Sequence, residues 1–148
     1  MGKTVEQIRA DYAKKEKILS VKDLVVKFSL RGEELTAIRE VSLDLYKGES
    51  LCIVGESGSG KSVFTKTFTG MLDANGYISS GSIIFHGEDL AKKTKHEQWK
   101  GIRGKRIATI FQDPMTSLNP LLTIGYQIAE VLMLHILLQR QVLNSNNF

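Results

Sequence analysis

The sequence predicts an α/β fold in which an antiparallel β region is followed by a strand–loop–helix unit. Residues 18–46 contain short β-branched runs broken by turn residues, and residues 41–46 alternate apolar and polar side chains, as half-buried strands do. Residues 55–62 are rich in glycine and serine and follow the apolar run 51–54. Helical spacing of apolar residues then begins, over 61–72. With 148 residues, 42% of them hydrophobic, the chain is long and apolar enough for one domain with a core.

The N-terminal part divides at Ile18. Residues 1–17 are polar, and Thr4 and Gln7 have capping-box spacing, which predicts a short surface helix in an N-terminal extension. Two or three antiparallel strands are expected over 18–46, with a hairpin turn at 31–33.

The run 49–54 reads as a buried strand leading into the glycine-rich stretch. Cys52 lies in this run, so we expect a buried, unreactive thiol. The segment 61–72 is expected to be a helix with a broad apolar face.

The second half of the chain contains further predicted elements. Strands are expected at 82–85 and 106–111, and a helical segment at 96–103, anchored by Trp99. A helix is expected to begin after Thr123.

The charge pattern and the length of the apolar runs argue against two classes of direct partner. The net charge of +4 is mild and both signs are interspersed, so we expect no nucleic-acid partner. No apolar run reaches the ~18 residues of a membrane span, so we expect any membrane role to depend on a partner protein.

The stretch GESGSGKS matches the phosphate-binding pattern G-x-x-x-x-G-K-[ST]. Glycines let backbone N–H groups converge on phosphate oxygens, a lysine adds a positive charge, and a serine hydroxyl can ligate magnesium. An esterase nucleophile elbow, G-x-S-x-G, would need glycine where Ser59 stands. The predicted phosphate-binding residues are Gly55, Glu56, Ser57, Gly58, Ser59, Gly60, Lys61 and Ser62.

A second motif identifies a family. VGESGSGKS, the downstream IFQDPMTSLNP and the upstream LTAIREVSL together resemble the ATP-binding subunit of an ABC transporter, in its oligopeptide/dipeptide importer branch. The resemblance covers residues 18–135, and the remaining residues 136–148 no longer resemble the family. It implies a P-loop NTPase fold of ABC type: an antiparallel β subdomain, here with part of the nucleotide-binding core and the start of the helical subdomain.

The resemblance implies ATP and Mg²⁺ as ligands and gives roles to individual residues. Phe28 falls where the family places an aromatic ring that stacks on adenine, although an ordinary core phenylalanine is an equal alternative. Lys61 and Gln112 take the catalytic roles, with Ser62 and Gln112 at the metal.

The resemblance also implies partners and a location. Transmembrane permease subunits are expected to dock on residues 112–135. A second ATP-binding subunit is expected as a direct partner, and an external peptide-binding protein as an indirect one. The location implied is the cytoplasmic face of the plasma membrane, reached through the permease.

Two other interpretations stay open. Asp113 ends an apolar run and could be a Walker B carboxylate, which would make the chain a small complete P-loop kinase; Pro114 stands where the transporter family has a glutamate. The other is a nucleotide-binding fragment without catalysis. His96 and His135 are expected to be ordinary surface and helix residues.

The family pattern needs elements that this sequence lacks. These are a Ser-Gly-Gly signature, a Walker B aspartate with its catalytic glutamate, and a switch histidine. We therefore expect an N-terminal piece that binds ATP but hydrolyses it poorly or not at all. Five apolar residues are expected to form an exposed stripe: Leu132, Met133, Leu134, Ile136 and Leu137.

Overall fold

Two long antiparallel strands form the centre of the fold. The computed structural model describes residues 4–111 and 118–145. Strand β1, Lys17–Leu30, pairs with β2, Glu33–Tyr46, on one side and with β3, Gly76–Phe85, on the other. The short strand β4, Glu88–Asp89, completes a four-stranded sheet in the order β2–β1–β3–β4. The predicted antiparallel β region and its turn at 31–33 are confirmed.

The helices lie before, between and after these strands. Helix α1 is Val5–Ala13, and its N-cap Thr4 forms the predicted capping box with Gln7. Helix α2 is Lys61–Thr67, and two 3₁₀ helices span Leu90–Lys92 and His96–Trp99. Helix α3, Ile124–Ser145, confirms the helix predicted after Thr123.

One face of the sheet carries the core. Val21, Leu24 and Val26 of β1 are almost completely buried, as is Ile83 of β3. The two-residue alternation breaks between Val21 and Leu24, where the register shifts against both neighbouring strands. This bulge keeps Leu24 on the same face as Val21 despite the three-residue spacing. Trp99 is also buried, as predicted.

The predicted strand at 49–54 is not formed. These residues are in no strand, Val54 is 87% exposed, and Cys52 is exposed. A central strand needs a neighbour for its backbone hydrogen bonds, and the four-stranded sheet described here does not include this segment. The predictions of a buried strand and a buried thiol are therefore wrong for this structure.

Three other predicted elements differ. Residues 106–111 form no strand, with one bridge between Arg103 and Ile107, and Ile110 is almost fully exposed. Helix α2 ends at Thr67, before the glycine at position 70, where φ is +60°. The segment 96–103 is helical only at His96–Trp99, since Gly101 has a positive φ.

The chain separates into two compact units, Met1–Lys100 and Gly101–Phe148. The sheet, α1 and α2 belong to the first unit, and α3 belongs to the second. Within residues 4–111 and 118–145, no helix combines the length and the apolar character needed to cross a membrane.

Candidate functional site

The glycine-rich loop is a tight turn that leads directly into α2. The backbone N–H of Ser59 donates to the carbonyl of Glu56 at 3.2 Å, and that of Phe64 donates to Gly60 at 2.8 Å. Gly58 and Gly60 have φ values of +81° and +90°, a conformation that side chains other than glycine rarely adopt. Two of the loop's glycines are therefore required by its backbone path.

Gly60 also brings the loop against strand β2. A Cβ atom at this position would lie 2.8 Å from Cδ1 of Ile38 and 3.0 Å from the carbonyl oxygen of Ala37. A side chain at position 60 would displace Ile38 and crowd the Ala37 carbonyl, in addition to the strain of the positive φ, so glycine is favoured here.

Lys61 folds back over the loop. Its ammonium group donates to the carbonyl oxygens of Gly55 at 2.7 Å and Glu56 at 2.6 Å, and to the hydroxyl of Ser59 at 3.2 Å. These three bonds hold the ammonium group of Lys61 within the loop. An anion that binds here would have to replace one or more of these acceptors.

A cavity of about 440 Å³ opens between the loop and the sheet. It is lined by Phe28 at the end of β1, by residues 35–37 of β2 and by residues 58–63 of the loop and α2. Gly55, Glu56 and Ser57 belong to the loop but do not line this cavity.

The donor set fits a magnesium-bound triphosphate. The cavity is lined by glycine backbone, by Lys61 and by the exposed Ser62. These are the residue types that phosphate-binding loops use. The described residues include no group of three or more His, Cys, Asp or Glu side chains that could hold a metal. Among the described residues, the hydroxyl of Ser62 is of the type that would ligate a magnesium ion bound to phosphate oxygens.

An ion cluster is formed by three residues that adjoin Phe28, Leu35 and Gly76 in sequence and do not line the cavity. Lys27 of β1 lies 2.7 Å from the carboxylate of Glu34 on β2, and the hydroxyl of Tyr77 on β3 donates to the same carboxylate. The hydrogen bond from Lys27, followed by that from Tyr77, lowers the pKa of Glu34. Hydrogen bonding to Glu34 raises the pKa of Lys27 and that of Tyr77.

The structure brings together some of the predicted site residues. Phe28 lies on the same cavity as Gly58, Ser59, Gly60, Lys61 and Ser62. Gln112, Asp113 and the rest of 112–117 lie outside the described residues.

Sequence reasoning missed Leu35, Thr36 and Ala37 as part of the cavity lining. A signal for them existed: the hairpin turn at 31–32 sets the register that places Leu35 opposite Phe28. Any group that contacts one of these two positions is close to the other.

Relatives of known class match most of this chain. It is 60% identical over 121 residues to the oligopeptide transport ATP-binding protein AmiE of Streptococcus pneumoniae, a match that covers 82% of this chain and 34% of AmiE. It is 53% identical over 120 residues to the dipeptide transport ATP-binding protein DppD of Lactococcus lactis, covering 81% of this chain and 34% of DppD. The chain thus spans about one third of the length of these curated relatives.

A solved structure also matches. The ADP conformation of MJ1267, an ATP-binding cassette of an ABC transporter, superposes with a TM-score of 0.47 at 28% identity, over 60% of this chain and 32% of that chain.

The family follows from a match that covers more than half of the sequence. The model for the ABC transporter family matches residues 38–145, which include the glycine-rich loop. The relatives confirm the predicted resemblance to oligopeptide and dipeptide transport ATP-binding proteins. The chain therefore belongs to the ABC transporter family, and its fold class is the predicted α/β P-loop NTPase of ABC type.

Proposed function

We propose that this chain provides the nucleotide-binding part of an energy-coupling ATPase subunit in a peptide importer, with Mg²⁺–ATP as its ligand. The observation that carries the proposal is the cavity between Phe28 and the glycine-rich loop, with Lys61 held over that loop. The relatives are named for oligopeptide or dipeptide transport, and this supports a peptide as the transported substrate.

The site residues divide by the part of the nucleotide that they would contact. Residues 55–62 would hold the triphosphate, and Phe28 would stack on adenine. Ser62 and Gln112 would ligand Mg²⁺, and Lys61 and Gln112 would act on the γ-phosphate during hydrolysis. When bound, Mg²⁺ neutralises charge on the phosphate oxygens.

Lys61 would have to exchange hydrogen-bond partners when a nucleotide binds. Its present acceptors are two neutral carbonyl oxygens and a hydroxyl. Phosphate oxygens carry negative charge and form stronger hydrogen bonds with an ammonium group. Exchange of the loop acceptors for phosphate oxygens is therefore favourable. The carbonyl groups of Gly55 and Glu56 would then no longer accept hydrogen bonds from Lys61.

We propose the partners and location that accompany this role. Residues 112–135 would dock on transmembrane permease subunits, and a second ATP-binding subunit would face the nucleotide. An external peptide-binding protein would act indirectly, and the complex would lie at the cytoplasmic face of the plasma membrane. We also propose that 1–17 is an extension, 18–135 a partial nucleotide-binding domain and 136–148 a divergent tail.

Hydrolysis by this chain alone is expected to be slow or absent. The sequence contains no Asp-Glu pair to position and deprotonate water. The chain would hold the phosphates and neutralise their charge, but general-base catalysis would be missing.

Calorimetric titration of the 148-residue chain with Mg²⁺–ATP tests nucleotide binding. Lys61→Ala should weaken binding about 10- to 100-fold, because charged hydrogen bonds contribute about 1.5–3 kcal/mol. Lys66→Ala is the matched control. It removes a lysine from the same helix, but Lys66 pairs with Asp73 at 3.1 Å and does not line the cavity.

Unchanged ATP affinity in Lys61→Ala would refute the phosphate-loop assignment. Steady release of phosphate by the wild-type chain, abolished by Lys61→Ala, would contradict the proposal that the chain is catalytically inactive. Transfer of phosphate to a small acceptor would instead support the kinase interpretation.

A further inference from the structure

Phe28 on β1 faces a large side chain on one adjacent strand and a glycine on the other. Its register partners are Leu35 on β2 and Gly76 on β3. Phe28 is half-buried and lines the cavity that we assign to ATP. The position of its ring therefore determines the shape of one end of that cavity.

Gly76 lies directly against the Phe28 ring. A Cβ atom added at Gly76 would lie 2.7 Å from Cε1 of Phe28 and 3.1 Å from both Cδ1 and Cζ. The φ of Gly76 is not among the positive values of the chain, so its backbone is compatible with any residue. Glycine is thus needed here for space, not for conformation.

The backbone at Gly76 is held in place on both sides. The N–H of Ser29 donates to the carbonyl of Asn75 at 2.9 Å, and the side-chain amide of Asn75 donates back to Ser29 at 3.2 Å. On the other side, Tyr77 donates to Glu34, which is paired with Lys27. Because β1, β2 and β3 are cross-linked at this point, a new side chain at position 76 would displace the ring and not the strand.

We propose that Gly76 is a positioning residue for the base-binding end of the nucleotide site, where its missing side chain leaves room for the Phe28 ring in the place from which it would stack on a purine. This inference rests on the proposed function, because it takes the ligand to be ATP. It assigns Gly76 no direct contact with the nucleotide.

The test compares two ligands that differ in the base. Mg²⁺–ATP has a purine, whereas Mg²⁺–tripolyphosphate contacts only the phosphate loop. Gly76→Ala should weaken ATP binding about threefold to tenfold. This is smaller than the effect of losing a base–aromatic stacking interaction completely, because the displaced ring would retain part of the contact. The affinity of this variant for tripolyphosphate should match that of the wild type.

A double-mutant cycle separates positioning from general damage. Phe28→Ala should weaken ATP binding at least as much as Gly76→Ala does, and the double variant should bind ATP as Phe28→Ala does. If the two losses instead multiply, Gly76 does not act through Phe28 and the inference is overturned. Equal losses of ATP and tripolyphosphate affinity in Gly76→Ala would also overturn it.

Stability measurements extend the test to a variant that folds poorly. If Gly76→Ala is unstable because its Cβ collides with Phe28, the added Phe28→Ala change should restore the unfolding midpoint to that of Phe28→Ala alone. A double variant no more stable than Gly76→Ala would overturn the inference. Failure of the proposed function would give a different result. Wild type and Lys61→Ala would then have the same affinity for ATP and the same affinity for tripolyphosphate, or neither chain would bind either ligand.

Discussion

At the scale of single residues, Gly58 and Gly60 show two different reasons for a glycine in one loop. Both have positive φ, but the space around them differs. An added Cβ at Gly58 would meet no atom within 4 Å, whereas one at Gly60 would meet Ile38 and Ala37. Backbone conformation alone explains Gly58, and conformation together with close packing explains Gly60.

Alanine substitutions at these glycines should therefore differ in cost. We expect Gly58→Ala to destabilise the chain by about 1–2 kcal/mol through backbone strain. Gly60→Ala should cost about 2–5 kcal/mol, because overpacking against β2 adds to the strain. Urea unfolding measures both changes, and equal losses would contradict the packing at Gly60.

The Lys27–Glu34–Tyr77 cluster should give stability a dependence on pH. Hydrogen bonds lower the pKa of Glu34 below its ordinary value of 4.5, so its contribution is present above that pH and disappears as the pH falls through the lowered pKa. The pKa of Lys27 is raised above 10.5, so its contribution is present below that pH and disappears as the pH rises through the raised pKa.

Glu34→Gln should reduce the loss of stability at both acid and alkaline pH. The measurement is the urea midpoint between about pH 3 and about pH 11. Glu33→Gln removes one carboxylate from the same strand, outside the cluster, and should leave the profile close to that of the wild type. A profile unchanged by Glu34→Gln would show that the cluster contributes nothing to folding.

At the scale of elements, α3 carries a long series of apolar residues that are in contact with water. The five residues of the predicted stripe are each more than half exposed, from 52% at Ile136 to 59% at Leu132. Leu132 and Ile136 are four residues apart and therefore share one face of the helix. Exposed apolar surface of this kind favours association.

We expect the purified chain to self-associate through α3 as its concentration rises. The double variant Leu132→Glu, Ile136→Glu should shift the sedimentation profile towards the monomer. The matched control places the same two charges on α1, at the exposed Val5 and Ile8, and should leave association unchanged. A wild-type chain that stays monomeric at every concentration would contradict the expectation.

At the scale of the whole molecule, every residue that lines the candidate nucleotide cavity belongs to the first unit. These residues lie between Phe28 and Val63, whereas the first unit extends to Lys100. The sheet that supports the cavity is also complete within that unit.

A chain ending at residue 100 should therefore retain nucleotide binding. We expect it to unfold cooperatively and to bind ATP in the absence of Mg²⁺ as tightly as the 148-residue chain does, since the shorter chain lacks only Gln112 among the proposed site residues. Calorimetric titration of the two chains makes the comparison. A large loss of affinity in the shorter chain would show that residues 101–148 contribute to the site.

Several features of this protein could be predicted correctly from the amino-acid order alone, because they depend on short-range interactions. The motif at residues 55–62, the hairpin at 31–33, the capping box at Thr4 and the helix after Thr123 all follow from neighbouring residues. Their physical causes are turn geometry, capping hydrogen bonds and periodicity, which act over a few positions.

Features that depend on residues far apart in sequence became visible only in the folded chain. The apolar runs 49–54 and 106–111 look like strands, but a strand exists only where another strand accepts its hydrogen bonds. The packing of the Phe28 ring against Gly76 likewise brings together residues 48 positions apart in sequence, which no local pattern reveals. Pairing and close packing are properties of the folded sheet, so they could be read only from it.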